Sequence, residues 1–287
     1  MLGAIEAGGT KFVCAVGDEK GRIVERAQFP TTVPEETMRD VIEFFRSYEL
    51  KAIGVGSFGP IDVNSESASY GCITSTPKTA WKNYPFVKVL KDAFNVPIGF
   101  NTDVNAAALG EATFGAAKGL DSCLYITVGT GIGAGAIVQG KLLQGLSHPE
   151  MGHILVRRHP DDSFQGKCPF HGDCLEGLAA GPAIEARWQD KGVNLVDREE
   201  VWNLEGYYLA QALMQYILIL SPKKIILGGG VMNQKQVFGY VYKHLETLLN
   251  GYVALPELED YIVSPGLGDQ AGITGALLLA HEAFAGV

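Results

Sequence analysis

The run Leu2-Gly3-Ala4-Ile5-Glu6-Ala7-Gly8-Gly9-Thr10-Lys11-Phe12-Val13-Cys14-Ala15-Val16 holds a complete structural plan in fifteen residues. Leu2 to Ile5 reads as an apolar strand, Gly8-Gly9-Thr10 as a glycine turn, and Phe12 to Val16 as a second strand. The plan returns after about 120 residues, a spacing that points to an internal duplication. There Cys123-Leu124-Tyr125-Ile126-Thr127-Val128 is the strand, Gly129 to Gly133 the turn, and Ala134 to Val138 the second strand. Asp18-Glu19-Lys20-Gly21 makes a further turn leading into Ile23-Val24, so the chain opens as an antiparallel meander.

Further out, Glu35 to Tyr48 carries Met38, Val41, Ile42 and Phe45 at helical spacing, and Lys51 to Gly56 returns as a buried strand. Strands alternating with helices predict an α/β protein. A chain of 287 residues suits two domains, and the boundary is expected near 115–120, where Gly115, Lys118 and Gly119 follow an alanine-rich helix. Hydrophobic residues make up 47% and charged residues 19%, enough for a sizeable core. The net charge of -9 argues against a general nucleic-acid or anionic-membrane binder. The most apolar helical stretch, Leu209 to Leu220, contains Gln211 and Gln215 and falls short of the roughly 20 residues a bilayer needs. The first residues lack the pattern of a secretion signal, and five cysteines are too few for a disulfide scaffold, so a reducing cytoplasm is expected.

Gly8-Gly9-Thr10-Lys11 and Gly129-Thr130-Gly131 both lie between apolar strands. Glycine leaves no Cβ between its N–H and a ligand oxygen, threonine adds a hydroxyl, and Lys11 adds charge. Either loop alone reads as a hairpin turn; the pair points to phosphate. Gly228-Gly229-Gly230, after the strand Lys224-Ile225-Ile226-Leu227, permits close approach of a flat ring, although a tight strand-to-helix turn uses glycine too.

Val96 to Phe100 reads as a strand, and Asn101-Thr102-Asp103 sits between it and a helix over Val104 to Phe114. By spacing alone, Asp103 caps that helix; the same position at a strand end also faces a cleft in α/β folds. Cys168-Pro169-Phe170-His171-Gly172-Asp173-Cys174 places three soft ligands at three-residue intervals, a pattern that suits tetrahedral zinc. A fourth ligand is required, and spacing does not choose among His148, His153 and His159.

The glycine loops, the Asp103 segment, the His/Cys cluster and Gly228-Gly229-Gly230 resemble, in order and over nearly the whole chain, the ROK family of sugar kinases. Glu6-Ala7-Gly8-Gly9-Thr10-Lys11 and Thr102-Asp103-Val104-Asn105 resemble its bacterial fructokinase branch. The resemblance implies an actin-like, ribonuclease-H-like ATPase fold with two similar domains around a central cleft. One domain spans 1–118 plus a returning helix at 271–287, after the family's closing motif Gly266-Leu267-Gly268-Asp269-Gln270-Ala271-Gly272; the other spans 119–270. It implies ATP phosphates at Gly8, Gly9, Thr10, Lys11, Gly129, Thr130 and Gly131, and adenosine at Gly229 and Gly230. It makes Asp103 the catalytic base, with Thr102, Asn105, Glu150 and Glu176 around the sugar. Glu150-Met151-Gly152-His153 matches the family's Glu-x-Gly-His segment, so zinc is expected on His153, Cys168, His171 and Cys174, with His171 where many relatives carry cysteine. Most relatives carry Asp where Glu6 stands, and that residue is expected at the magnesium.

The function so implied is transfer of phosphate from ATP to a free hexose, fructose first, by a cytoplasmic homodimer. Relatives that prefer glucose commonly carry Asn at the position of Thr102. A glucokinase or N-acyl-amino-sugar kinase is the rival within enzymes. A sugar-responsive repressor is the rival outside them, although such relatives place a DNA-binding domain ahead of the first glycine loop, which here begins by residue 8. A non-catalytic binding protein is the third.

Overall fold

A computed structural model describes residues 1–286. The first lobe opens with β1 (Leu2–Ala7), β2 (Lys11–Gly17) and β3 (Ile23–Pro30), an antiparallel meander. Helix α1 (Pro34–Arg46) begins with Pro34 and the acids Glu35 and Glu36, which suit a helix start, and ends on Arg46. Its buried face, Met38, Val41 and Phe45, covers the sheet. Strand β4 (Ala52–Ser57) pairs parallel with β1, and after α2 (Phe86–Phe94) β5 (Ile98–Thr102) pairs parallel with β4. The order is β3-β2-β1-β4-β5. Helix α3 (Asp103–Phe114) follows directly from β5.

The second lobe repeats the plan. β6 (Cys123–Val128), β7 (Ile132–Val138) and β8 (Lys141–Leu142) form the meander. Three helices follow: α4 (Leu175–Ala179), α5 (Gly181–Trp188) and α6 (Glu199–Leu220). β9 (Ile225–Gly228) then pairs parallel with β6, and after α7 (Gln236–Leu249) and α8 (Leu258–Tyr261), β10 (Ile262–Val263) pairs parallel with β9. The order β10-β9-β6-β7-β8 is the first sheet's order with each strand exchanged for its counterpart. The duplication expected from two glycine turns is therefore present in the whole topology. Among the described residues no helix is long and apolar enough to cross a membrane.

Helix α9 (Ala271–Ala285) returns to the first lobe and packs Ile273, Ala276, Leu277 and Ala280 against Leu2, Ala4, Val13 and Ala15. The approach is close enough that a Cβ on Gly54 of β4 would sit 1.9 Å from the Ala276 carbonyl oxygen. Glycine is required there for contact reasons.

The chain crosses between the lobes twice, near 115–120 and near 265–271, and Glu111 holds both crossings. Its carboxylate is fully buried and accepts N–H bonds from Ala116 (2.7 Å), Gly266 (2.9 Å) and Leu267 (2.8 Å). A Cβ on Gly115 would lie 2.1 Å from Glu111 Oε2, so the first crossing turns at a glycine. Bonds to a charged acceptor are worth about 1.5–3 kcal/mol each, and donors left buried without one cost as much. Glu111→Gln keeps the shape but turns an N–H towards an N–H. It is expected to lower stability by about 2–4 kcal/mol, read as a fall in denaturation midpoint at unchanged m-value.

Candidate active site

Two cavities meet between the lobes. One, of about 450 Å³, is walled by Gly228, Gly229, Gly230, Met232 and Pro265 on one side and by Glu6 and Asp269 on another. The other, of about 830 Å³, is walled by Phe58, Gly59 and Pro60 from the first lobe and by Gly129, Thr130, Gly131, Glu150 and Glu176 from the second. Asp103 lines both, and among the described residues it is the ionisable side chain they share.

The helix cap falls one residue earlier than spacing suggested. Thr102 Oγ1 accepts the Asn105 N–H at 3.1 Å and takes the capping role, leaving Asp103 as the first residue of α3. Asp103 Oδ1 accepts its neighbour Val104's N–H at 2.9 Å, and the rest of the carboxylate faces the cleft. Burial, with Glu6 and Glu150 nearby, outweighs that bond and raises its pKa to about 7. A carboxylate in that range both accepts a proton and releases it near neutral pH.

Glu6, on β1, has one carboxylate oxygen buried without a hydrogen-bond partner. Burial raises its pKa, against the pull of Arg26 and Lys11. An orphaned carboxylate oxygen beside Asp103 and Asp269 is the environment a hydrated divalent cation satisfies, so Glu6 fits the magnesium role.

The glycine loops divide between the cavities. Gly129, Thr130 and Gly131 line the larger one; a Cβ on Gly131 would come 2.6 Å from Glu176 Oε2. Gly229 and Gly230 line the smaller one, where Gly229 takes φ +91° and nothing stands within 4 Å of a Cβ placed on Gly230. Of the first loop, Gly9 reaches the larger cavity. Gly8, Thr10 and Lys11 are in neither wall, and Lys11 Nζ bonds Gln28 Oε1 at 3.3 Å. Thr102 lines the larger cavity, whereas Asn105 is buried beneath it and donates to Asn101 Oδ1 at 2.8 Å.

Glu176 Oε2 accepts the Ile132 N–H at 2.9 Å and its Oε1 lies 3.9 Å from His153 Nε2. His153 turns its other nitrogen, Nδ1, towards Cys168 Sγ (3.7 Å) and Cys174 Sγ (3.5 Å), and His171 Nδ1 lies 3.7 Å from Cys168 Sγ. The four ligand atoms lie within 4.8 Å of one another. Bonds of about 2.0–2.3 Å to a tetrahedral zinc give ligand–ligand edges of about 3.3–3.8 Å, so this donor set fits. Both cysteines are free thiols, and burial holds the Cys174 thiol above its ordinary pKa, so a thiolate there needs a cation beside it.

His148, a zinc-ligand candidate by spacing, has a different place. Its buried Nε2 accepts the Ile61 N–H at 3.0 Å, which puts the proton on Nδ1, 3.5 Å from Glu150 Oε1. It ties the first lobe's Phe58–Ile61 wall, 87 residues away in the chain, to the larger cavity's Glu150. Trp81 is core: it is 1% exposed and packs behind Phe58 with ring centroids 5.8 Å apart. The pairing His148–Ile61 had no signal in sequence, because it joins side chain to backbone across the lobe boundary.

Two lobes of one strand plan, closed on a cleft with a carboxylate at the junction of its cavities, define the actin-like, ribonuclease-H-like class of ATPase folds. The chain belongs to the ROK family, whose sequence pattern matches residues 2–283. It is 65% identical over 288 residues to a Bacillus subtilis (strain 168) protein named "Putative fructokinase", covering 99% of this chain and 96% of that one. It is 48% identical over 284 residues to a fructokinase of Pediococcus pentosaceus, covering 99% of each. The crystal structure of a ROK family glucokinase from Streptomyces griseus in complex with glucose and AMPPNP superimposes with a TM-score of 0.78 at 25% identity, covering 97% of this chain and 98% of that one.

With Asp103 as the base, its pKa of about 7 predicts an acid limb. kcat/KM is expected to fall about tenfold per unit as pH drops below 7. The same shift has a stability sign. Between the ordinary carboxylate range and 7 the folded state holds a proton the unfolded state has released, so this group makes folding less favourable as pH rises through that window. Asp103→Asn is therefore expected to melt a few degrees higher than wild type at pH 8, with the gap closing towards pH 4. An unchanged gap across that range would contradict the assignment.

Proposed function

We propose that the chain transfers the γ-phosphoryl group of ATP to the 6-hydroxyl of fructose, giving fructose 6-phosphate and ADP. What carries the reading is the position of Asp103 on the shared wall of two cavities, one glycine-walled and one ringed by acids suited to sugar hydroxyls. The two named relatives at 65% and 48% identity support fructose, against 25% for the glucokinase.

Asp103 orients the 6-hydroxyl and takes its proton as the oxygen attacks the γ-phosphorus in line. Glu150 and Glu176 accept bonds from the sugar hydroxyls, with Thr102 beside them. Gly9 and Gly129-Thr130-Gly131 face the phosphates, and Gly229-Gly230 the adenosine. Glu6 would hold magnesium, which when bound would neutralise charge on the triphosphate. His153, Cys168, His171 and Cys174 would hold zinc, which with every ligand position filled would be structural and would fix the segment bearing Glu150 and Glu176. The lobes are assigned to 1–118 plus the C-terminal helix and to 119–270. A cytoplasmic homodimer completes the reading, supported by five cysteines outside any disulfide and by the exposed Leu155, Leu218 and Ile219 near the end of α6.

ADP release across fructose, glucose, mannose and N-acetylmannosamine tests the reaction: fructose is expected to give the highest kcat/KM, and Asp103→Asn to lose about 100-fold or more in kcat. A tenfold preference for another sugar would replace fructose, and no sugar-dependent release at all would remove the kinase. Metal analysis and sedimentation of the same preparation are expected to give one zinc per chain and the mass of two 30.8 kDa chains.

A further inference from the structure

The cleft is short of positive charge. Glu6, Asp103, Glu150, Glu176 and Asp269 line its two cavities. Lys235 lines the smaller cavity, bonded to Ser264 Oγ at 3.0 Å. In the larger cavity Lys78 is, among the described residues, the one lysine or arginine in the wall. A nucleoside triphosphate entering such a site brings about four further negative charges, and Coulomb repulsion in a partly desolvated cleft is costly.

Lys78 sits where that charge is needed. Its side chain lies over the first glycine loop: a Cβ on Gly9 would come 3.1 Å from Lys78 Cε and 3.9 Å from Nζ. The lysine is half-buried, and among the described residues its ammonium has no carboxylate or hydrogen-bond partner. The backbone beneath it is fixed. Its N–H donates to Thr76 Oγ1 at 3.3 Å, and its carbonyl accepts the Trp81 N–H at 2.8 Å. Trp81 is locked in the aromatic core against Phe12 and donates its indole N–H to the Thr32 carbonyl at 2.8 Å. A rooted stem with an unpaired head, beside a phosphate loop and on Asp103's cavity, is the arrangement of an anion-binding lysine.

We infer that Lys78 is a binding residue for the phosphoryl group in transfer, meeting its oxygens in ATP and again in the sugar phosphate. The inference rests on the kinase reading above. In the step itself the 6-hydroxyl oxygen forms a bond to the γ-phosphorus and the bond from phosphorus to the β–γ bridging oxygen breaks. That electron pair leaves with ADP and the proton passes to Asp103. Lys78 takes no part in the proton transfer, and its ammonium balances the charge on the three equatorial oxygens.

The experiment compares wild type, Lys78→Met and Lys78→Arg as full-length proteins. Sugar-dependent ADP release gives kcat and KM, and calorimetry with magnesium gives affinity for AMPPNP and for ADP. Lys78→Met is expected to lose about 30-fold in kcat and about tenfold in AMPPNP affinity, the scale of one charged donor on a phosphoryl group. ADP affinity and the sugar KM should stay within about twofold, and Lys78→Arg should recover part of the rate. A purely structural role would weaken ADP and AMPPNP alike, without rescue by arginine, and that result overturns the inference. So does a Lys78→Met kcat within twofold of wild type. Should the methionine variant not fold, Lys78→Gln carries the same comparison. If wild type itself shows no sugar-dependent release, the kinase reading fails, while the two nucleotide affinities still decide the place of Lys78.

Discussion

Both passages of the chain between the lobes converge on one carboxylate, and the site depends on that convergence. Glu111 gathers the N–H groups of Ala116, Gly266 and Leu267, so the exit from the first lobe and the return from the second share a single buried anchor. The anchor lies on α3, the helix that begins with Asp103. Both crossings are thereby tied to the helix that opens with the carboxylate shared by the two cavities. The glycines at 115 and 266 follow from the same constraint, since a Cβ on Gly266 would lie 2.6 Å from the Ala116 nitrogen.

The other end of α3 shows how a neighbouring residue frees a functional one. Thr102 satisfies the orphan N–H of the first turn, so Asp103 need not cap the helix. Its carboxylate is then left facing a cleft among other acids, an environment that costs stability and tunes proton affinity together. Glu6 shows the same economy, with an oxygen that the protein itself does not satisfy. The rigid parts lie around these groups: an aromatic core behind Phe58, a ligand cluster behind Glu176, and a histidine bridging Ile61 and Glu150.

Charge follows the same division. Acids line both cavities, so nucleotide binding needs cations brought in as metal or supplied from the few lysines at the walls. Lys11, which the glycine-loop motif suggested for that task, turns its amine to Gln28; Lys78, from a loop without a phosphate-loop pattern, lies over Gly9.

The amino-acid sequence alone determined what local chemistry encodes. Continuous apolar runs and the glycine turns between them marked β1, β2, β6 and β7, and their echo pointed to a duplicated plan. A tight Cys-His-Cys spacing marked a zinc-type cluster, and the strand end at Asn101–Asp103 marked the entry to the cleft. The tertiary structure decided the rest, because the deciding contacts join distant residues. His148 stands on Ile61, Asn105 is withdrawn beneath the cavity, and Glu111 bonds residues 155 and 156 positions away. Spacing along a chain records neighbours within an element. Which carboxylate is left open to a cleft depends on which N–H groups other elements bring to it.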